Sequence, residues 1–296
     1  MADNISILVE EYNKYLTNQN ILLQMSKLGT INKIKQFLER IFLLQQTDNK
    51  ELLIADDFIK TFGNAGVKKY LDIILNPTII KSEKQKLYIT NRRNVVEFRY
   101  GKFSATLPYD RYDVLKTLGS DENIAAVLMR YKGQFQLHRQ FAANLELYQR
   151  FVDEGANIEG FASPFNCQLL LCQPPYQSWQ GKFCSLHYDV DKIFGSLGDF
   201  FLQDFTKQTV ITFPPAVEII ITKTVEYILE QLDNHQCCFY VILPPWKDME
   251  AYQKISTSKW LTHYEVIDNN KYPSENPFTG ELHSGKIFEL FVLKRL

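Results

Sequence analysis

No run of about 18 consecutive apolar residues occurs in this 296-residue chain, so no helix is expected to span a membrane. The opening MADNISILVEEYNKYL has acids where a secretory signal needs a basic start and an apolar core. The expected location is therefore the nucleus, the cytoplasm or a viral factory within it. Cysteine is scarce: Cys167, Cys172, Cys184, Cys237 and Cys238 make five, all in the second half. An intracellular chain keeps them reduced, mostly as small buried hydrophobes. Cys184 and His187 stand three apart, with Cys167 and Cys172 upstream, but no CxxC pair accompanies them. Structural zinc is usually held by ligands paired at that kind of spacing, so no metal is expected. Neither GxGxxG nor a P-loop is present, and no motif supports a phosphate cradle. Internal repeats and low-complexity tracts are missing as well. So is any surplus of charge: 33 Lys+Arg against 34 Asp+Glu leave −1, which excludes a histone-like polybasic protein.

What is present is unevenly spread. Residues 1–150 carry 22 basic and 16 acidic side chains, whereas residues 151–296 carry 11 and 18. Such an asymmetry hints at two jobs in one chain, although small imbalances also arise by chance. Forty aromatics, 14% of the chain, favour large cores. Length suggests about two domains, which we place at residues 1–120 and 121–296.

From Asn4 to Asn76 the apolar residues recur at helical spacing, and Asn76–Pro77 ends the last helix. Around Leu87–Leu107 the period shifts to that of strands or a hairpin, with Gly101–Lys102 at the turn. Ser120 is placed to cap a helix through Tyr131, with Glu122 in its first turn, and Asn144–Val152 gives another. The second half reads as alternating strands and helices. The expected strands are Ile158–Ala162, Thr209–Thr212, the apolar run Cys237–Leu243, Thr262–Ile267 and Ile287–Leu293, with a helical stripe from Val217 to Leu232. That succession predicts an open Rossmann-like α/β sheet with an antiparallel hairpin at its edge, behind a mainly helical, basic module.

Ligands of such sheets sit at the carboxyl ends of the strands. Three loops fall there: Phe161–Asn166, Phe194–Phe200 and Thr212–Ala216. In this order EGFASPFNCQ (residues 159–168), FCSLHYDVDKIFGSLGDFF (183–201), a Pro-Pro turn and a strand ending LPPW (243–246) resemble the phosphorylated-CTD-interacting-factor family. AAVLMRYKG (125–133) is also similar, and the resemblance covers about residues 120–296. It implies a Rossmann-like, S-adenosylmethionine-dependent methyltransferase domain behind a helical one. Members of the family methylate the N6 amine of the cap-adjacent adenosine in mRNA.

Carried over by position, the resemblance assigns the methionine end of S-adenosylmethionine to the loop Phe161, Ala162, Ser163, Pro164 and Asn166. Asp189 or Asp191 would accept the ribose hydroxyls, or else serve as a loop or helix-capping acid. At the catalytic turn the family implies Asn-Pro-Pro-Phe. An oxygen at the first position and a proline carbonyl hold the two amine hydrogens, and the last ring stacks the flipped base. Here the turn reads Phe213, Pro214, Pro215, Ala216. Phe213 accepts no hydrogen bond and Ala216 offers no ring, so catalysis is expected to be lost or strongly altered. Gln173-Pro174-Pro175-Tyr176, Leu243-Pro244-Pro245-Trp246 and Asn276-Pro277-Phe278 are partial substitutes or simple punctuation of structure.

Between Lys81 and Lys102 lie seven basic residues, among them Lys84, Lys86, Arg92, Arg93, Arg99 and Lys102, against two acids. Tyr88, Phe98, Tyr100 and Phe103 are interleaved or adjacent. Cations for phosphates with rings for bases is the composition of a single-strand binding surface; a solvated, charge-balanced face has the same letters. Three functions remain open. One is a non-catalytic factor that binds capped mRNA or supports transcription or capping proteins. The second is an active methyltransferase with a divergent base pocket, and the third a pure interaction module.

Overall fold

The computed structural model describes residues 2–26, 34, 38, 68–69, 72–134, 140–172, 181–268, 270–278, 282–285 and 287–295. Of the expected N-terminal helices, most of the stretch from Leu28 to Leu71 lies outside the described residues, as does Gln173-Pro174-Pro175-Tyr176. The chain divides into two compact units, Met1–Tyr112 with Gly119–Arg139 and Asp113–Leu118 with Gln140–Leu296.

In the first unit, helix α1 (Ala2–Ser26) buries Leu8, Tyr12, Tyr15, Ile21 and Met25. Strands β1 (Leu87–Asn91), β2 (Val95–Tyr100) and β3 (Phe103–Pro108) form an antiparallel sheet in that order. The strand period of two sends Val96, Phe98, Tyr100, Phe103 and Leu107 into the core. Tyr12 meets Tyr100 edge-on at 5.0 Å, and Tyr15 meets Phe103 at 5.4 Å. Gly101 turns β2 into β3 at φ +55, and a Cβ there would strike the Tyr12 hydroxyl at 2.3 Å. Glycine is required at this turn on both counts.

Helix α2 (Tyr109–Leu118) follows, then α3 (Asp121–Gly133). Ser120 caps α3 as expected, and the reciprocal partner is Asn123, whose carboxamide oxygen accepts the Ser120 N–H at 3.1 Å. From α3, Arg130 donates twice to Glu11, at 2.6 and 2.7 Å, and Glu11 is 2% exposed. This bidentate pair satisfies two charges that would otherwise be costly to bury.

The second unit is the expected open α/β sheet. Helix α4 (Leu145–Asp153), capped by Asn144, precedes β4 (Ile158–Glu159), β5 (Lys182–Phe183) and the short α5 (Tyr188–Asp191). Next come β6 (Thr209–Thr212), α6 (Glu218–Asn234), β7 (Cys237–Leu243) and α7 (Glu250–Ser256). Strand β8 (Leu261–Asp268), the two-residue strands β9 (Ser274–Glu275) and β10 (Leu282–His283), and β11 (Ile287–Arg295) complete the order. The sheet runs β5-β4-β6-β7-β11-β8, with the first four parallel and β11 antiparallel to both neighbours. All seven residues of β7 are buried, because helices cover both faces. On one side Ile221, Val225, Ile228 and Leu232 of α6 join Phe239, Val241 and Leu243 in one core. On the other, Phe151 of α4 lies 4.6 Å from the Tyr240 ring. The chain leaves β4 for β5 on one flank and returns to β6 on the other, so the switch point falls between β4 and β6.

Candidate functional site

The expected strand Ile158–Ala162 pairs only over Ile158–Glu159, because the chain peels away at Gly160. A Cβ at Gly160 would come within 3.0 Å of the Phe200 ring and of Thr212 Cγ2. The glycine therefore lets two loops close over the switch point. Phe161 is half-buried and lies 4.7 Å from Phe200 and 6.0 Å from Phe201. Ala162, also half-buried, donates its N–H to the Cys184 carbonyl, which ties this loop to the end of β5.

The rest of the loop is held both from within and by the segment before α4, where Gln140 Oε1 accepts from the Ser163 hydroxyl. Asn166 Oδ1 accepts the Ser163 N–H at 2.7 Å and the Ser163 hydroxyl at 3.0 Å, while its Nδ2 donates to the Phe141 carbonyl. The Ser163 hydroxyl in turn accepts the N–H groups of Phe165 and Asn166. Pro164 is buried between them. Ser163 and Asn166 thus shape the loop, much as a capping box shapes a helix start. Beneath it lies Glu159, 4% exposed, a residue the sequence reading did not single out. It accepts the Gln168 N–H at 2.9 Å and also engages Tyr148, Cys167 and Leu169. Burial dominates these contacts and raises its carboxyl from 4.5 to about 7.

The two expected ribose acids sit differently. Asp189 is exposed in α5 beyond the carboxyl end of β5, and Asp191 is fully buried at that helix's other end. The Gly195–Gly198 loop turns through two glycines at φ +98 and +93, and its Ser196 hydroxyl shares a hydrogen with Ser185 at 2.7 Å. Cys184 is buried, and desolvation, reinforced by the charge of Asp199, pushes its thiol far up. Among the described residues no group of three or more His, Cys, Asp or Glu side chains gathers in metal-binding geometry.

On the other side of the switch point, β6 ends at buried Thr212 and enters the Pro-Pro turn. Phe213 is half-buried and packs edge-on against Phe288 at 5.0 Å. Pro214 is buried and Pro215 half-buried; the Pro215 carbonyl accepts the Val217 N–H at 2.7 Å, and Ala216 is exposed. The partial substitutes lie elsewhere. Trp246 is 39% exposed past the end of β7. Asn276 is buried with its carboxamide on the Phe278 N–H, and the Phe278 ring rests 5.1 Å from Phe165 of the loop. S-adenosylmethionine meets a partial fit. Phe161 and Ala162 are half-buried and Asp189 is exposed, while Ser163 and Asn166 engage each other and the segment before α4.

In the first unit Lys84, Lys86, Arg92, Arg93, Arg99 and Lys102 are all exposed. Of the four aromatics interleaved with them, Tyr88 alone is exposed, at 56%; Phe98, Tyr100 and Phe103 are core. Lys86 Nζ lies 5.3 Å over the Tyr88 ring. Glu97 bridges Arg92 at 3.0 Å and Arg99 at 2.7 Å, and those two hydrogen-bonding guanidiniums hold its carboxyl below the usual range.

A family model described as the phosphorylated CTD interacting factor 1 WW domain matches residues 105–275, more than half of the chain. Comparison with curated proteins finds no match. Among solved structures the chain is similar to a SAM-dependent O-methyltransferase from Thermotoga maritima. Identity is 10%, 75% of this chain and 89% of that one are covered, and the TM-score is 0.34.

Proposed function

Because the chain belongs to the phosphorylated CTD interacting factor 1 family, we propose that it is a methyltransferase-like protein whose adenine-side chemistry has lapsed. In this reading it serves as an RNA-binding or partner-supporting factor in mRNA capping or transcription. When bound, S-adenosylmethionine supplies an electrophilic methyl group on a sulfonium. In this reading Phe161 and Ala162, just past β4, would hold it, with Asp189 for the ribose hydroxyls. The loop under them is kept in shape by the Ser163–Asn166 hydrogen bonds and by Glu159.

The observation that carries the reading is the Pro-Pro turn. An exocyclic adenine amine is conjugated into its ring and is a poor nucleophile. It needs acceptors for its two hydrogens so that the lone pair is aimed at the methyl group. Phe213 has no acceptor, and its ring is engaged with Phe288. Ala216 is exposed and has no face on which to stack a flipped base. The turn's shape persists without its chemistry. Two measurements test this. Calorimetry with S-adenosylmethionine asks whether the cofactor half binds, and transfer of labelled methyl to capped, adenosine-starting RNA asks whether the turn works. Turnover above the no-enzyme background overturns the lapsed-enzyme reading. Absence of RNA binding and of any capping or transcription partner overturns the supporting role.

A further inference from the structure

We infer that the outer face of the β1-β2-β3 sheet is a base-tolerant platform for single-stranded nucleic acid, with Tyr88 as its stacking ring and Arg99 and Arg92 as its phosphate contacts. The inference rests on the RNA-binding reading above and narrows it to one surface and one kind of ligand.

Strand periodicity sorts the basic stretch into two faces. Leu87, Tyr100 and Phe103 align across the sheet on the core side, as do Asn91, Val96 and Leu107. Tyr88, Arg99 and Ser104 align on the other side, and Thr90, Glu97 and Thr106 form the next row. Tyr88 is thus directly opposite Arg99, at the separation where cross-strand side chains touch. The tyrosine is 56% exposed, its neighbours on this face are small or polar, and no element of its own unit covers it among the described residues. A large exposed ring on a sheet face, flanked by cations, is the arrangement that stacks an unpaired base.

Charge identifies the rest of the ligand. Lys86, Arg92 and Arg99 outnumber Glu97 on this face, and Lys84, Arg93 and Lys102 surround it. Glu97 does not simply cancel the arginines. It accepts from Arg92 Nε and Nη2 on one oxygen and from Arg99 Nε on the other. Two guanidiniums are therefore held on one carboxylate, each with N–H groups to spare for a phosphate oxygen. A continuous polyanion with planar bases matches both features, whereas an acidic peptide would use the cations and leave Tyr88 without a role.

The test uses the full chain and a fluorescein-labelled uncapped RNA homopolymer of about 12 nucleotides, within the usual site size. Anisotropy is followed across a salt series, and circular dichroism checks that each variant is folded. Tyr88→Ala should weaken binding about tenfold and leave the salt slope unchanged, while Tyr88→Phe restores it. Arg99→Ala should lower the slope by about 0.7, the value for one phosphate contact on a single strand. A duplex of the same length should bind without sensitivity to Tyr88→Ala. If the parent chain binds the RNA and both alanine variants match it in affinity and slope, the platform is overturned and the broader RNA reading survives. If the parent chain binds no RNA, both fall. If polyglutamate displaces the RNA and its own binding drops equally with Tyr88→Ala, the face is a protein site and the inference is overturned.

Discussion

Glutamine in place of Glu159 keeps the size and most of the hydrogen bonding of that side chain and removes its ionisation. In the folded chain the carboxyl is raised from 4.5 to about 7, because burial beneath the loop outweighs the N–H and hydroxyl groups that favour its charge. A folded-state value above the unfolded one means that the native state holds the proton more tightly. The stabilisation is therefore complete below the unfolded value and is lost as pH rises through the folded value. At about 1.4 kcal/mol per tenfold, this separation is worth about 3 kcal/mol in total, of which roughly 2.5 falls between about pH 5 and pH 8. Urea denaturation of the parent and of Glu159→Gln at matched pH isolates this group, because other titrations are common to both and cancel. The parent should lose ground steadily relative to the variant, and the variant should be the more stable at pH 8. A stability difference constant to within about 0.5 kcal/mol across that range would refute the argument.

Three other perturbations follow from the geometry. Arg130→Ala leaves Glu11 buried with Lys14 as its remaining cation and should cost about 3 kcal/mol by urea denaturation. A loss below about 1 kcal/mol would mean that the bidentate pair contributes little. Gly160→Ala drives a methyl group into Phe200 and Thr212 and should destabilise by about 2 kcal/mol, with partial recovery when Phe200→Leu is added; equal melting of Gly160→Ala and the parent would contradict the close approach. Tyr252→Phe removes the hydroxyl that donates to buried Glu289 and should cost about 2 kcal/mol, read from thermal melting, and a cost below about 0.5 would show the carboxylate to be satisfied elsewhere.

Elements of strong period were legible in the sequence. The run Cys237–Leu243 and the stripe from Val217 to Leu232 each contain enough repeats for burial to show as pattern, and both appear within one or two residues of the expected limits. Strands β4 and β5 were harder, because each pairs over two residues and carries no period of its own. The base-stacking rings were misread for a reason the sequence does contain. Phe98 and Tyr100 alternate with Glu97 and Arg99, so strand periodicity puts them opposite the charges, and only Tyr88 has the charged side's phase. Asn166 looked like a ligand-binding amide, since nothing local announces that its partners are Ser163 and the Phe141 carbonyl. Glu159 and Glu289 were missed, although each is an acid at the apolar end of a strand. The sequences IEGF and FELF were the available signal.

The placement of β11 between β7 and β8 bears on how the chain is made. A ribosome delivers β7 some forty residues or more before its partner emerges, an interval set by the numbering of Leu243 and Ile287. During that interval β7 can pair with β6, but its other margin is a row of open amides and carbonyls beside CCFYVIL, the most apolar strand of the sheet. Such an edge recruits strands from other chains. Stalled or truncated translation products that stop before Ile287 should therefore accumulate as aggregates or on chaperones, and the supply of the finished protein would be limited by its closing strand.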